Sequence, residues 1–229
     1  LGAKLPEFGH VPMILGADGE RLSKRHGAVS VLQYRDEGFL PEALINYLAR
    51  LGWSHGDDEV FSLAQIDRWF DLAHVSHSPA KFDPEKLKWL NHQYLKQADD
   101  VRLAAALPAR PGPAREKVVA LLKERASTLA ELAAQSDMFY VDPGAQAVPA
   151  EAKPALAALA DSLKSAGWER KALGAAVSAV AKSHNLKMPQ LAMPLRRVLT
   201  GREQTPSIDA VIELLGRETV LARIARSLA

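Results

Sequence analysis

Pro41-Glu42-Ala43-Leu44-Ile45-Asn46-Tyr47-Leu48-Ala49-Arg50-Leu51-Gly52 sets the grammar of most of this chain. Leu44, Ile45, Leu48 and Leu51 recur three and four residues apart, which puts them on one face of an α-helix. Pro41 suits a first helical turn, and Gly52 suits a stop. Moving outward toward the carboxy terminus, Ser62 with Gln65 forms a capping box that opens a short helix ending near Phe70. Asp83-Pro84 supplies an N-cap and a first-turn proline for a helix through Tyr94, with Leu87, Leu90 and Tyr94 on one face. The Pro/Ala/Arg stretch 104–113, with Gly112, is the clearest linker candidate. Further helices are predicted near 115–125, 128–135, 151–166, 169–183, 189–199, 206–215 and 217–228. Leu173, Val177, Val180 and His184 make one apolar face there, and Ile208, Val211, Ile212 and Leu215 another. Between the predicted helices 128–135 and 151–166, the stretch 137–149 carries Phe139-Tyr140-Val141 with Pro143 and Pro149, and reads as a long loop or a short extended piece. The expected fold class is mainly α.

Toward the amino terminus the pattern changes. Val11-Pro12-Met13-Ile14-Leu15 is a short apolar run suited to a strand, Gly16-Ala17-Asp18-Gly19 is a turn signal, and a basic polar loop follows. This reads as the edge of a larger fold. The opening at Leu1, without an initiator Met, leads us to expect a piece of a longer chain. A 48% hydrophobic content is ample for ordinary cores, and no apolar run approaches the roughly 18 residues of a membrane span, so a soluble cytoplasmic protein is expected. With no cysteine, disulfides, thiolate catalysis and cysteine-ligated zinc are excluded within these residues. The net charge of +2 offers no global field for a polyanion. Phosphates would have to be met by local clusters such as Arg21/Lys24/Arg25/His26 or Arg196/Arg197/Arg202.

The segment Arg21-Leu22-Ser23-Lys24-Arg25, with Gly27 after it, places three cations and a hydroxyl on a glycine-flanked loop. Such a loop suits the charge that develops when a nucleotide's α-phosphate is attacked and pyrophosphate leaves, since a Lys ammonium follows phosphates as a mobile point charge. Spacing alone leaves an ordinary solvated basic turn open. His55, Asp57, Asp58 and Glu59 are dense in ligand types, but Gly56 and the lack of helical spacing favour a solvated loop over a metal site. His74 and His77 read as loop or helix-end residues. Trp53, Trp69, Trp89 and Trp168 sit among apolar helical positions, which favours core packing over base stacking.

Arg21-Leu22-Ser23-Lys24-Arg25-His26-Gly27 resembles the second signature, the KMSKS-type loop, of class I aminoacyl-tRNA synthetases in the form found in glutamyl-tRNA synthetases. The flanks agree: His10 to Ile14, Ala28-Val29-Ser30, Tyr34 to Gly38, Pro41 to Leu44, Asn46-Tyr47-Leu48 and Leu51 to Ser54. Phe82-Asp83, Lys86-Leu87 and Trp89-Leu90-Asn91-His92 resemble the family's stem-contact segment. Met193-Pro194-Leu195-Arg196, Leu199-Thr200-Gly201 and Thr205-Pro206 resemble its carboxy-terminal anticodon-binding segment. The resemblance implies the carboxy-terminal half of such an enzyme: the end of a Rossmann catalytic domain with its loop in 1–30, a helical stem-contact domain in 31–103, and an all-helical anticodon-binding domain in 104–229.

It also implies roles. Lys24 would be catalytic, neutralising the leaving pyrophosphate, and Arg21, Leu22, Ser23, Lys24 and Arg25 would form the ATP-binding loop. Arg196 and Thr205 would lie near anticodon bases. On residue type alone, Arg196 also suits a solvated helix face, and Thr205 before Pro206 also suits a helix N-cap. The family position that senses the third anticodon base falls near 137–142, where no arginine stands, so the choice between glutamate and glutamine tRNAs stays open. ATP with Mg2+, L-glutamate and tRNA(Glu) are the implied partners of the whole enzyme, which is expected to be a monomer without zinc or membrane contact in these residues. The His-x-Gly-His type signature and the glutamate pocket would precede Leu1, so the chain alone is expected to lack ligase activity. The rival readings are a stand-alone RNA-binding helical module, a protein-interaction domain, and a glutaminyl-tRNA synthetase, whose β-barrel tail does not match the helical patterning here.

Overall fold

A computed structural model describes residues 2, 4–6, 8–23 and 30–229. Its described residues form two compact units, one of 1–98 with 124–131 and the other of 99–123 with 132–229.

The first unit holds the short strands β1 (Ile14–Leu15) and β2 (Ala80–Lys81), paired in parallel with Ile14 opposite Ala80. β1 reverses through a tight turn in which Gly16 N–H donates to Glu20 O and Leu22 N–H donates to Ile14 O. The predicted strand is therefore present but short, and β2 carries no periodic signal that would have announced it. After α1 (Val31–Asp36), helices α2 (Pro41–Arg50), α3 (Leu63–Trp69) and α4 (Pro84–Gln97) start where the sequence signals put them, although α2 buries Ala43, Leu44, Asn46 and Tyr47 and leaves Ile45 and Leu48 of its expected apolar face exposed. Ser30 caps α1, the Ser62/Gln65 box opens α3, and the Asp83 carboxylate accepts from the N–H groups of Glu85 and Lys86 at the start of α4. Leu44 and Tyr47 of α2 pack against Leu87 and Leu90 of α4, with Tyr34, Phe39, Phe82 and Tyr94 around them.

Two buried asparagines tie this core together, and each is a polar residue that only pairing makes tolerable inside. Asn46 accepts from Phe61 N–H at 3.1 Å and from the Tyr94 hydroxyl at 2.7 Å. Asn91 accepts from Leu40 N–H at 2.8 Å and donates to Ser127 O at 2.5 Å.

The second unit is all helical: α5 (Asp100–Ala105), α6 (Arg115–Leu122), α7 (Leu129–Tyr140) from Leu132 onward, α8 (Lys153–Ser165), α9 (Arg170–Ser183), α10 (Met188–Thr200), α11 (Ile208–Leu215) and α12 (Arg217–Leu228). α8 packs on α9 and α12, and α9 on α10 and α11. Leu156, Leu159, Leu173, Val177, Leu195, Val211 and Val220 are all fully buried. α5 runs two residues into the predicted linker before the chain turns irregular, and α7 continues to Tyr140. Phe139 and Tyr140, expected in a loop or extended piece, thus lie in the last turn of α7, where Phe139 is buried in the core. Burial of these aromatics outweighs their modest helix propensity. Among the described residues no helix is long and apolar enough to cross a membrane.

Candidate nucleic-acid interface

The basic loop leaves the β1 turn under backbone control. Arg21 bridges to Leu15, and Leu22 N–H donates to Ile14 O at 2.9 Å, so Arg21 is exposed and Leu22 and Ser23 are half-buried beside the sheet. Lys24 and Arg25 lie outside the described residues. Beside the turn, Gly16, Asp18, Leu22, Phe82 and Pro84 line a cleft of about 240 Å³.

At the far end of the chain, Arg196 and Thr205 meet. Arg196 Nε donates to the Thr205 hydroxyl at 2.9 Å, and that hydroxyl donates to Pro206 O at 2.9 Å. Thr205 is buried and Arg196 half-buried. α11 begins at Ile208 with Ser207 at its N-cap, so Thr205 does not cap it; its side chain holds the arginine instead. With Nε engaged, the terminal nitrogens of Arg196 keep a planar donor fork that no described protein group occupies.

The turn between these residues is built for close approach. Gly201 ends α10 in the left-handed region with φ at +69°, and a Cβ there would stand 3.1 Å from the Pro143 side chain. Thr200 accepts from Arg202 N–H at 3.2 Å, and Arg202 reaches across to donate to Ala134 O at 2.8 Å. Thr200, Gly201 and Arg202 then face Asp137, Met138 and Val141 across a cleft of about 410 Å³. Buried Arg223 donates to Leu199 O and Val141 O, and Arg226 pairs with Asp142 at 2.7 Å, which fixes the wall of this cleft. Desolvation lowers the Arg223 pKa, and the nearby Asp142 carboxylate partly offsets that.

Sequence reasoning found no arginine in 137–142, and none is there. The structure brings Arg202 beside that segment, and Arg110 pairs with Asp137. Separation in the chain hid both. The cluster Arg196/Arg197/Arg202 is not a free positive patch, because Arg197 pairs with Glu203 and Arg202 is held by Ala134.

The remaining candidates sort clearly. His55 stacks on Trp69 at 4.0 Å and approaches Asp58, as a loop stabilised by its own side chains would. His74 is engaged by Asp71 at 2.7 Å. Among the described residues no group of three or more His, Asp or Glu residues could hold a metal ion. Trp53 is a core residue, packed on Phe61 and Phe70. Trp89 departs from the core expectation: it is 40% exposed, with the Lys86 ammonium 4.0 Å from its ring centre.

Residues 75–228 match a family described as the anticodon binding domain, and residues 1–89 match one described as tRNA synthetases class I (E and Q), catalytic domain. The chain is 56% identical to a glutamate–tRNA ligase of Janthinobacterium sp. (strain Marseille), an alignment covering 100% of this chain and 52% of the relative. It is 56% identical to the glutamate–tRNA ligase of Nitrosomonas europaea, covering 98% of this chain and 52% of the relative. A crystal structure of a glutamate tRNA ligase from Elizabethkingia meningosepticum, in complex with its amino acid, superposes with a TM-score of 0.83 at 26% identity, covering 99% of this chain and 52% of that one. The chain thus spans about half the length of the relatives it matches, with a catalytic-domain match at its start and an anticodon-domain match over most of the rest. It belongs to the glutamate–tRNA ligase family of class I aminoacyl-tRNA synthetases.

Proposed function

We propose that this chain is the tRNA-binding portion of a cytoplasmic, monomeric glutamate–tRNA ligase, which joins L-glutamate to the α-phosphate of ATP and then transfers the glutamyl group to the 3′ end of tRNA(Glu). The observation that carries the RNA side of this reading is Arg196, whose Nε is steered by buried Thr205 while its terminal donors stay unengaged by described residues. Guanidinium planes and preorganised donors are what recognise the exposed edges and faces of unstacked bases. Arg202, at the cleft beside 137–142, is the residue we add to Arg196 as an anticodon-side contact, with Thr205 holding Arg196 in place. The domain division that suits this reading is 1–30, 31–103 and 104–229.

On the catalytic side the resemblance of 21–27 supports an ATP-phosphate loop in which Lys24 stabilises the charge on departing pyrophosphate. Arg21 and Arg25 steer phosphate, Ser23 and the neighbouring backbone N–H groups position it, and Leu22 N–H ties the start of the loop to Ile14 O of β1. Magnesium, as the companion of ATP, finds no ligand cluster among the described residues.

Purified, these 229 residues are expected to bind tRNA weakly and to show no ATP–pyrophosphate exchange. Exchange above background would overturn the division of labour. In a protein extended to the full length of its relatives, Lys24→Ala should lower the chemical step far more than it weakens tRNA binding. Equal losses in both would make Lys24 a tRNA contact only.

A further inference from the structure

A second cleft in the all-helical unit is larger than either one described above and belongs to neither. It encloses about 590 Å³, within the range of roughly 300–1,000 Å³ typical of small-molecule sites. α6, α11 and the entry to α9 form its walls, and Ala114, Ala120, Ala210 and Leu214 line it with small and apolar groups. Three kinds of chemistry meet there. Trp168 is half-buried, with its indole N–H donating to Glu213 O at 3.2 Å and Arg217 on its ring at 5.1 Å, so the indole is fixed in place while still lining the cleft. Lys117 is exposed and meets no acidic partner among the described residues, and Arg170 spends only its Nε on Glu213 at 3.2 Å. Glu213, bonded to Arg170, adds a carboxylate to the same lining.

That set discriminates among ligands. A bare polyanion would meet Glu213 as well as the cations, and an apolar guest would leave two cations and a carboxylate unmatched. A nucleotide answers all three, with a base for the indole, a base N–H for the carboxylate, and a phosphate for Lys117 and the Arg170 fork. Ala114, which opens α6 without a capping side chain, leaves backbone N–H donors beside Lys117 as well.

We propose that the cleft between α6, α9 and α11 is a nucleotide subsite, in which Trp168 stacks on a base while Lys117 and Arg170 hold its phosphate. The nucleotide is either free in solution or an unpaired nucleotide of a bound RNA, and the RNA source rests on the tRNA reading above.

Titration of the chain with AMP by calorimetry, and with tRNA by fluorescence anisotropy at fixed salt, separates the cases. Lys117→Glu alters an exposed side chain and should leave the melting temperature unchanged. It should weaken AMP binding by about tenfold or more, as should Trp168→Ala, while Trp168→Phe retains most of the affinity. If the source is RNA, tRNA displaces AMP and Lys117→Glu weakens tRNA binding as well. If the source is a free nucleotide, AMP and tRNA bind together and Lys117→Glu leaves tRNA untouched. No AMP binding at millimolar concentration, with tRNA affinity indifferent to Lys117→Glu and Arg170→Ala, overturns the subsite even where Arg196→Ala still weakens tRNA. Lys117-dependent AMP binding by a chain that fails to bind tRNA keeps the subsite and sinks the tRNA reading.

Discussion

Thr205 is buried and its hydroxyl is committed twice, accepting from Arg196 Nε and donating to Pro206 O. In the tRNA-binding role proposed above, a hydroxyl so engaged would act on RNA through the arginine rather than by itself. Thr205→Val keeps the shape and deletes both bonds, so it should cost about 1 kcal/mol of stability and weaken tRNA binding by about three- to tenfold. Arg196→Ala should weaken binding at least as much, and adding Thr205→Val to it should change affinity no further, since both act through one contact. A further loss in the double variant, measured by anisotropy, would mean that Thr205 touches the RNA. The residue types of this pair were legible through the resemblance, but their bond was not. Nine positions of chain, crossing the end of α10 and a left-handed Gly201, separate donor from acceptor, and no periodicity reports such a return.

Between elements of the first unit, Gly38 marks a close approach of two backbones. Its φ is +86°, its carbonyl accepts from Leu129 N–H at 2.8 Å, and a Cβ would stand 2.5 Å from the backbone nitrogen of Ala130. Asn91 reinforces the same seam through Leu40 N–H and Ser127 O, and the Lys88–Glu131 pair closes its edge at 2.8 Å. Gly38→Ala combines a disfavoured backbone with a backbone clash, and should destabilise the first unit by about 2–4 kcal/mol. Asn91→Ala orphans two polar groups at about 1–3 kcal/mol each. Urea denaturation followed by circular dichroism tests both; a loss below about 1 kcal/mol in either would show that the seam yields. At this scale most of the fold was readable, because α2 and α4 carry an apolar period with a marked start, α3 opens on a capping box, and α9 and α11 each show an apolar face. What escaped was made by partners distant in the chain. β2 exists only because β1 pairs with it, α5 is too short to show a period, and the last turn of α7 is held by burial of Phe139. Trp89 read as core because it sits among the apolar positions Leu87, Leu90 and Tyr94, yet it stands away from buried Leu87 and Leu90, under Lys86.

Across the whole chain, stability should fall at both ends of the pH scale, for different reasons. The Asp142 carboxylate lies below the usual range because Arg226 and the Gly144 N–H bond to it. Burial works against the charge of Glu131, but the hydrogen bonds from Lys88 and Ser127 N–H outweigh it and hold that pKa low as well. Both groups favour the folded state above their unfolded pKa values, and that contribution disappears as pH falls through the lowered folded ones. The alkaline limb belongs to tyrosines. Burial pushes the Tyr94 hydroxyl up to about 12 from 10.0, against the opposing hydrogen bond to Phe61 O. Burial also raises Tyr34, Tyr47 and Tyr140. A raised folded pKa gives stability that is whole below pH 10 and is lost as pH climbs from there to about 12. Two pKa units correspond to about 2.7 kcal/mol, which solvent screening at a half-exposed site reduces to about 1–1.5 kcal/mol. Tyr94→Phe should lower stability at pH 8 by the loss of its bonds to Asn46 and Phe61. Between pH 8 and 11.5 it should then lose about 1 kcal/mol less than the unaltered chain does, as read from urea midpoints. Equal losses in the two proteins would place the alkaline transition on other groups and remove Tyr94 from the account.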